Sequence, residues 1–134
     1  MEFIIGIALG LVIGLSMSLV GMDRDRALYP AMMIVIALLY ILFAVMGGST
    51  QALLIESTVA AIFIGLAIAG FRSTLWLVAA ALIGHGIFDV LHSRLFDNPG
   101  VPVWWPPFCL AADIALGAYL GWLLISSRVR TAPY

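Results

Sequence analysis

The order of hydrophobic and polar positions divides the chain into five long apolar runs separated by short polar breaks. A membrane-crossing helix needs about 20 mostly apolar residues. Stretches 2–21, 30–48, 51–70, 74–95 and 104–126 reach that length. The first break holds the one dense charge cluster, Asp23-Arg24-Asp25-Arg26, and Pro30 then falls early in the second run, where its missing N–H costs little. Gly47-Gly48-Ser49 makes a short turn, Phe71-Arg72-Ser73 divides the third run from the fourth, and Asp97-Asn98-Pro99-Gly100-Val101-Pro102 collects turn formers. The pattern predicts an all-α polytopic membrane bundle, a single domain over 1–134 with five transmembrane helices. The first run reads as a retained helix. Glu2 stands where a signal peptide carries Lys or Arg, the apolar run exceeds an h-region, and no A-x-A site follows.

Composition reinforces this reading. Of 134 residues, 64% are hydrophobic and 10% charged, with mean hydropathy +1.18. Soluble domains have about 45–50% apolar and about 25% charged residues, so a soluble enzyme is excluded. A net charge of −1 gives no basic footprint for nucleic acid, which leaves membrane lipids as the natural surroundings. The lone cysteine, Cys109, has no partner in the chain for a disulfide.

Arginine placement sets the expected orientation, because basic residues gather in cytoplasmic loops. Arg24, Arg26, Arg72, Arg128 and Arg130 fall on the side shared by the C-terminus, and only Arg94 falls on the other. The N-terminus is therefore expected outside and the C-terminus in the cytoplasm of a multi-pass cell-membrane protein. Trp104 and Trp105 anchor the outer interface, and Trp122 lies near the inner one.

Small residues four apart share a helix face and let two backbones approach closely. Gly6, Gly10 and Gly14 form such a stripe, continued by Ser18, and Gly117 and Gly121 form another. Two outcomes stay open for the first stripe: packing within one bundle, or a homo-oligomer through Gly6, Gly10 and Gly14.

The candidate chemistry lies in charges that fall inside apolar runs. A charge at the bilayer centre costs about 2.5–3.5 kcal/mol on insertion scales, so such residues are functional candidates by default. Glu56 lies in the third run, His85, Asp89 and His92 in the fourth, and Asp113 in the fifth. At 100° per residue, Asp89 lies about 40° from His85 and His92 about 20° on the other side, giving one stripe roughly 10 Å long. Gly84 and Gly86 thin the helix around His85. Counting about 1.5 Å per residue from the loops places Glu56 roughly 8 Å and Asp113 roughly 13 Å below the outer surface. His92 is close to that surface, with Asp89 and His85 progressively deeper. Cys109 stands one turn before Asp113, and Tyr40 lies near mid-membrane.

These depths predict a shared pocket in the outer half of the bilayer. His85, Asp89 and Asp113 are expected within mutual reach, with Glu56 and His92 at its edge. Mixed nitrogen and oxygen donors suit a divalent transition metal such as Zn or Fe better than Mg or Ca, so His85, Asp89, His92 and Asp113 are the candidate ligands. A metal-free network, with Asp113 paired to His85, accounts for the same residues. Glu56, Asp89 and Asp113 are the candidate catalytic groups.

The stretch His85-Gly86-Ile87-Phe88-Asp89-Val90-Leu91-His92, followed by Asn98 to Cys109 and Asp113, resembles a signature of a family of small bacterial integral membrane proteins of unknown function. The resemblance covers about the last 50 residues and implies a bacterial inner-membrane protein without assigning an activity. A second similarity is to membrane hydrolases that include the alkaline ceramidases, in which His and Asp on several helices hold a catalytic zinc. Those proteins have seven spans and a His-x-x-x-His pair, against five spans and His85-x-x-x-Asp89-x-x-His92 here.

Three functional classes follow. A metal at the pocket can activate water toward a lipid ester or amide. The carboxylates can relay protons or cations in an oligomeric transporter. The polar residues can also bind a partner helix in an accessory subunit without catalysis.

Overall fold

The computed structural model describes residues 1–130; Tyr134, where the sequence places a cytoplasmic end, lies outside them. The described residues form five long helices and no strand: α1 (Glu2–Val20), α2 (Leu28–Met46), α3 (Thr50–Arg72), α4 (Leu75–Leu95) and α5 (Trp105–Ile125), with a short 3-10 turn at Met22–Arg24. All five are long and apolar enough to cross a membrane.

Local chemistry sets the boundaries. Gly21 ends α1 in the left-handed region at φ 83°, where its N–H closes on the carbonyls of Met17 and Ser18. The side chains of Ser49 and Thr74 cap α3 and α4 by accepting from the N–H groups of Ala52 and Trp76. Helix α2 begins at Leu28, two residues ahead of Pro30, and α3 runs to Arg72 rather than stopping at 70. The end of α3 is held by Arg26, wholly buried, whose guanidinium donates to the carbonyls of Gly70, Phe71 and Ser73. Helix ends leave carbonyls without intrahelical partners, and Arg26 supplies them. A residue that marks a polar break in the sequence thus acts as a structural tie.

The helices pack in the order α1, α5, α4, α3, α2, with α4 also touching α2. Gly6, Gly10 and Gly14 lie against Ala111, Ala115 and Tyr119 in step, so α1 runs parallel to α5. A Cβ on Gly10 would come within 2.9 Å of the Ala115 Cβ and 3.0 Å of the Ala112 carbonyl oxygen. The stripe is therefore filled within this chain by α5. On the other side of α5, Gly117 faces Ala79, Leu82 and Ile83 of the antiparallel α4.

One end of the bundle gathers the C-terminal turns of α2 and α4 with the first turns of α1, α3 and α5. Arg24, Arg26, Arg72, Arg128 and Arg130 all belong to the opposite end, where the Arg130 N–H meets the Arg24 carbonyl. Between that end and the ionisable residues the core is apolar, built around Val78, Leu82, Leu116, Leu120 and Leu123.

Candidate functional site

Two linked polar groups occupy the end of the bundle opposite those five arginines. The deeper one joins α4 to α5. His85 Nδ1 lies 2.7 Å from Asp113 Oδ2, one proton bridging the pair, and 3.6 Å from Asp89 Oδ2. Cys109 Sγ donates to Asp113 Oδ2 at 3.7 Å. Close packing makes this possible: Gly86 lets α5 come so near that a Cβ there would stand 3.1 Å from the Leu110 carbonyl and 3.3 Å from the Asp113 Cβ. The His85 ring is held edge-on by Phe63 of α3, with centroids 4.9 Å apart.

Ligand-type atoms of His85, Asp89, Cys109 and Asp113 all lie within 4.8 Å of one another, and all four residues are buried. Asp89 is 0% exposed. Its Oδ1 accepts from the Tyr40 hydroxyl at 2.6 Å, whereas its Oδ2 makes no hydrogen bond. A buried polar atom without a partner costs about 1–3 kcal/mol. The charged neighbour of Asp89 Oδ2 is His85 Nδ1 at 3.6 Å, too far for a hydrogen bond, which leaves this oxygen able to take a further ligand.

The shallower group joins α3, α4 and the loop between α4 and α5. His92 Nε2 lies 2.6 Å from Glu56 Oε1, and Asn98 Nδ2 donates to the same Glu56 oxygen at 2.7 Å and to the Tyr40 carbonyl at 3.2 Å. His92 is buried, enclosed by Phe88, Phe96 and Tyr40. Tyr40 connects the two groups, since its ring lies 4.5 Å from that of His92 while its hydroxyl bonds Asp89.

The structure thus brings His85, Asp89 and Asp113 together and puts Glu56 beside His92 one layer toward the bundle end. The set of converging ligand atoms differs from the sequence expectation in two members: Cys109 belongs to it, and His92 faces Glu56 instead. The i, i+4 spacing of Cys109 and Asp113 carries the signal for the first. For the second, the two helical turns between His85 and His92 span more than one ion reaches. The sequence gives no sign of Asn98, because a loop residue has no helical periodicity to reveal where it points.

Two openings flank the cluster. A cavity of about 410 Å³ at the bundle end is lined by Asp89, His92 and Asn98 together with Phe3 and the 101–103 segment. On the side, an apolar groove between α1, α2 and α5 has Cys109 and Asp113 among its lining residues. No family model, curated protein or solved structure matches this chain.

Proposed function

We propose that this chain is a multi-pass protein of the bacterial inner membrane that holds a divalent transition metal, zinc or iron, and uses it to hydrolyse an ester or amide linkage in a membrane lipid. The observation that carries the reading is the convergence of ligand atoms from four buried residues within 4.8 Å, among them Asp89, one of whose oxygens makes no hydrogen bond. Zinc bonds of about 2.0–2.3 Å place tetrahedral ligands roughly 3.3–3.8 Å apart. The 3.6 Å between His85 and Asp89 already meets that spacing. The His85–Asp113 contact has to open by about 1 Å and give up its proton, as metal ligation generally requires.

In this reading His85, Asp89 and Asp113 would hold the ion, with Cys109 beside them. The ion supplies a Lewis acid and a water acidic enough to attack near neutral pH. The water oxygen bonds to the carbonyl carbon, the bond to the alcohol or amine breaks, and the water proton ends on that leaving oxygen or nitrogen. His92 lines the same cavity as Asp89, with Glu56 bonded to it, a position suited to carrying that proton. Coupled transport has less support, because the apolar core around Leu82, Leu116 and Leu120 separates the cluster from the arginine end.

Elemental analysis of the purified full chain is expected to find about one zinc or iron per chain. Chelation should abolish hydrolysis of a lipid ester or amide in mixed micelles, and adding the metal back should restore it. A metal-free chain with no chelator-sensitive hydrolysis would instead mark a proton-sharing His85–Asp113 network.

The positive-inside count supports placing the cluster in the outer leaflet. A reporter inserted at 97–102 is expected to read outside, and one fused after Tyr134 cytoplasmic. The reverse readout would move the site to the inner leaflet.

A further inference from the structure

The side groove has features that a merely loose helix contact lacks. It runs between Ile13 of α1, Val35 and Leu39 of α2, and Trp105, Cys109 and Asp113 of α5, enclosing about 350 Å³. Its walls are apolar apart from the thiol and carboxyl at its floor. Val35 is exposed on its rim. In a bilayer the medium on that side is hydrocarbon, so the groove opens toward acyl chains rather than water.

A second, independent observation sits near the bundle end of the same groove. The indole Nε1–H of Trp105 is buried and has no hydrogen-bond partner among the described residues. Tryptophan N–H groups usually find an acceptor when buried, and no protein group fills that role here. At about 1.5 Å per residue along α5, Cys109 lies roughly 6 Å and Asp113 roughly 12 Å deeper than Trp105. A lipid whose head group lies at the level of Trp105 would bring an ester or amide linkage one to two helical turns lower to the level of the cluster. Its chain would continue along α2.

We infer that this groove seats one acyl chain of the lipid substrate, which reaches the cluster sideways from the bilayer with its polar head toward Trp105. The inference rests on the hydrolase reading for the word substrate, and on the groove alone for the acyl chain. The occupant is a glycerolipid or sphingolipid chain bearing an acyl linkage, admitted from the membrane between α2 and α5.

The test uses the full chain in lipid nanodiscs containing a phosphatidylcholine with a photoactivatable diazirine in its acyl chain. Labelled positions are mapped by mass spectrometry, and metal content is measured on the same samples. Label is expected to concentrate on 31–39 of α2 and 105–116 of α5. Val35→Trp, which fills the groove from its exposed rim, should lower that labelling several-fold without changing metal content or thermal stability. Trp105→Phe should shift labelling along α5 while leaving the bundle folded. Label spread evenly over the exposed faces of all helices, or labelling indifferent to Val35→Trp, overturns the groove. Groove-centred label on a chain without metal supports the acyl-chain seat and overturns only the hydrolase reading. Even labelling of a metal-loaded chain does the reverse.

Discussion

Asp89→Asn is expected to weaken metal binding by at least about 100-fold while costing the bundle no more than about 1–3 kcal/mol. The reasoning starts from the two oxygens of that carboxylate. Oδ1 accepts from Tyr40 at 2.6 Å, a bond the asparagine carbonyl retains. Oδ2 is wholly buried without a hydrogen bond, and replacing it by an amide removes a buried acid whose environment leaves one oxygen unsatisfied. The amide NH2 that takes its place is buried in the same spot, so the stability cost is bounded by that of one unsatisfied group, about 1–3 kcal/mol. Metal binding responds to the charge instead, since an amide lacks the anionic oxygen a divalent ion selects. Even partners one step removed from a metal change affinity by about 10–100-fold. Thermal unfolding in detergent and elemental analysis read the two effects separately. A purely structural Asp89 would show only a fall in stability, with no metal to lose. His85→Ala provides the contrast, because it leaves both Asp89 and Asp113 without the imidazole and should destabilise the metal-free bundle by about 3–5 kcal/mol.

That contrast also marks how far sequence reasoning reaches in this protein. The helices are legible because membrane burial demands a long uninterrupted apolar run, and the runs end at residues with an evident local role, such as Gly21, Ser49 and Thr74. The grouping of His85, Asp89 and Asp113 is legible from helical phase and depth alone, since buried ionisable groups are costly unless they meet. What sequence leaves open is the choice among partners at equal depth. His92 and His85 share a stripe, yet one turns to Glu56 on α3 and the other to Asp113 on α5, because α4 packs between those two helices. Phase places both histidines on one face but says nothing of which neighbour covers each end of it. Arg26 illustrates a different limit. Within a charged tetrapeptide it reads as a loop charge, whereas the structure buries it completely against the carbonyls at the end of α3.

The loop between α4 and α5 yields the other large expected effect, because a single close approach fixes how Asn98 meets the site. Gly100 lies against the last turn of α2. A Cβ built on it would stand 2.6 Å from the Phe43 carbonyl carbon, nearer still to its oxygen, and 2.9 Å from the Gly47 N. All three are backbone atoms of a helix end, so none can swing aside as a side chain would. Gly47 faces the loop in the same way, with its own Cβ position 2.5 Å from the Gly100 N. This backbone-on-backbone contact holds the loop where the Asn98 carboxamide donates to both the Tyr40 carbonyl and Glu56. Gly100→Ala is therefore expected to push the loop off α2 and break one or both of those bonds. The cost should be about 1–3 kcal/mol, the range for overfilling a packed site. Gly84→Ala is the control: it lies on α4 beside His85, and a Cβ there meets nothing within 4 Å, so it should leave stability unchanged or raise it by up to about 1 kcal/mol, the helix preference of Ala over Gly. Hydrogen exchange of 97–103, measured beside thermal unfolding, locates the damage. Faster exchange in that segment with a lower unfolding temperature is the expected result. If Gly100→Ala matches Gly84→Ala in both measurements, the loop is held by something other than its approach to Phe43, and the placement of Asn98 needs another cause.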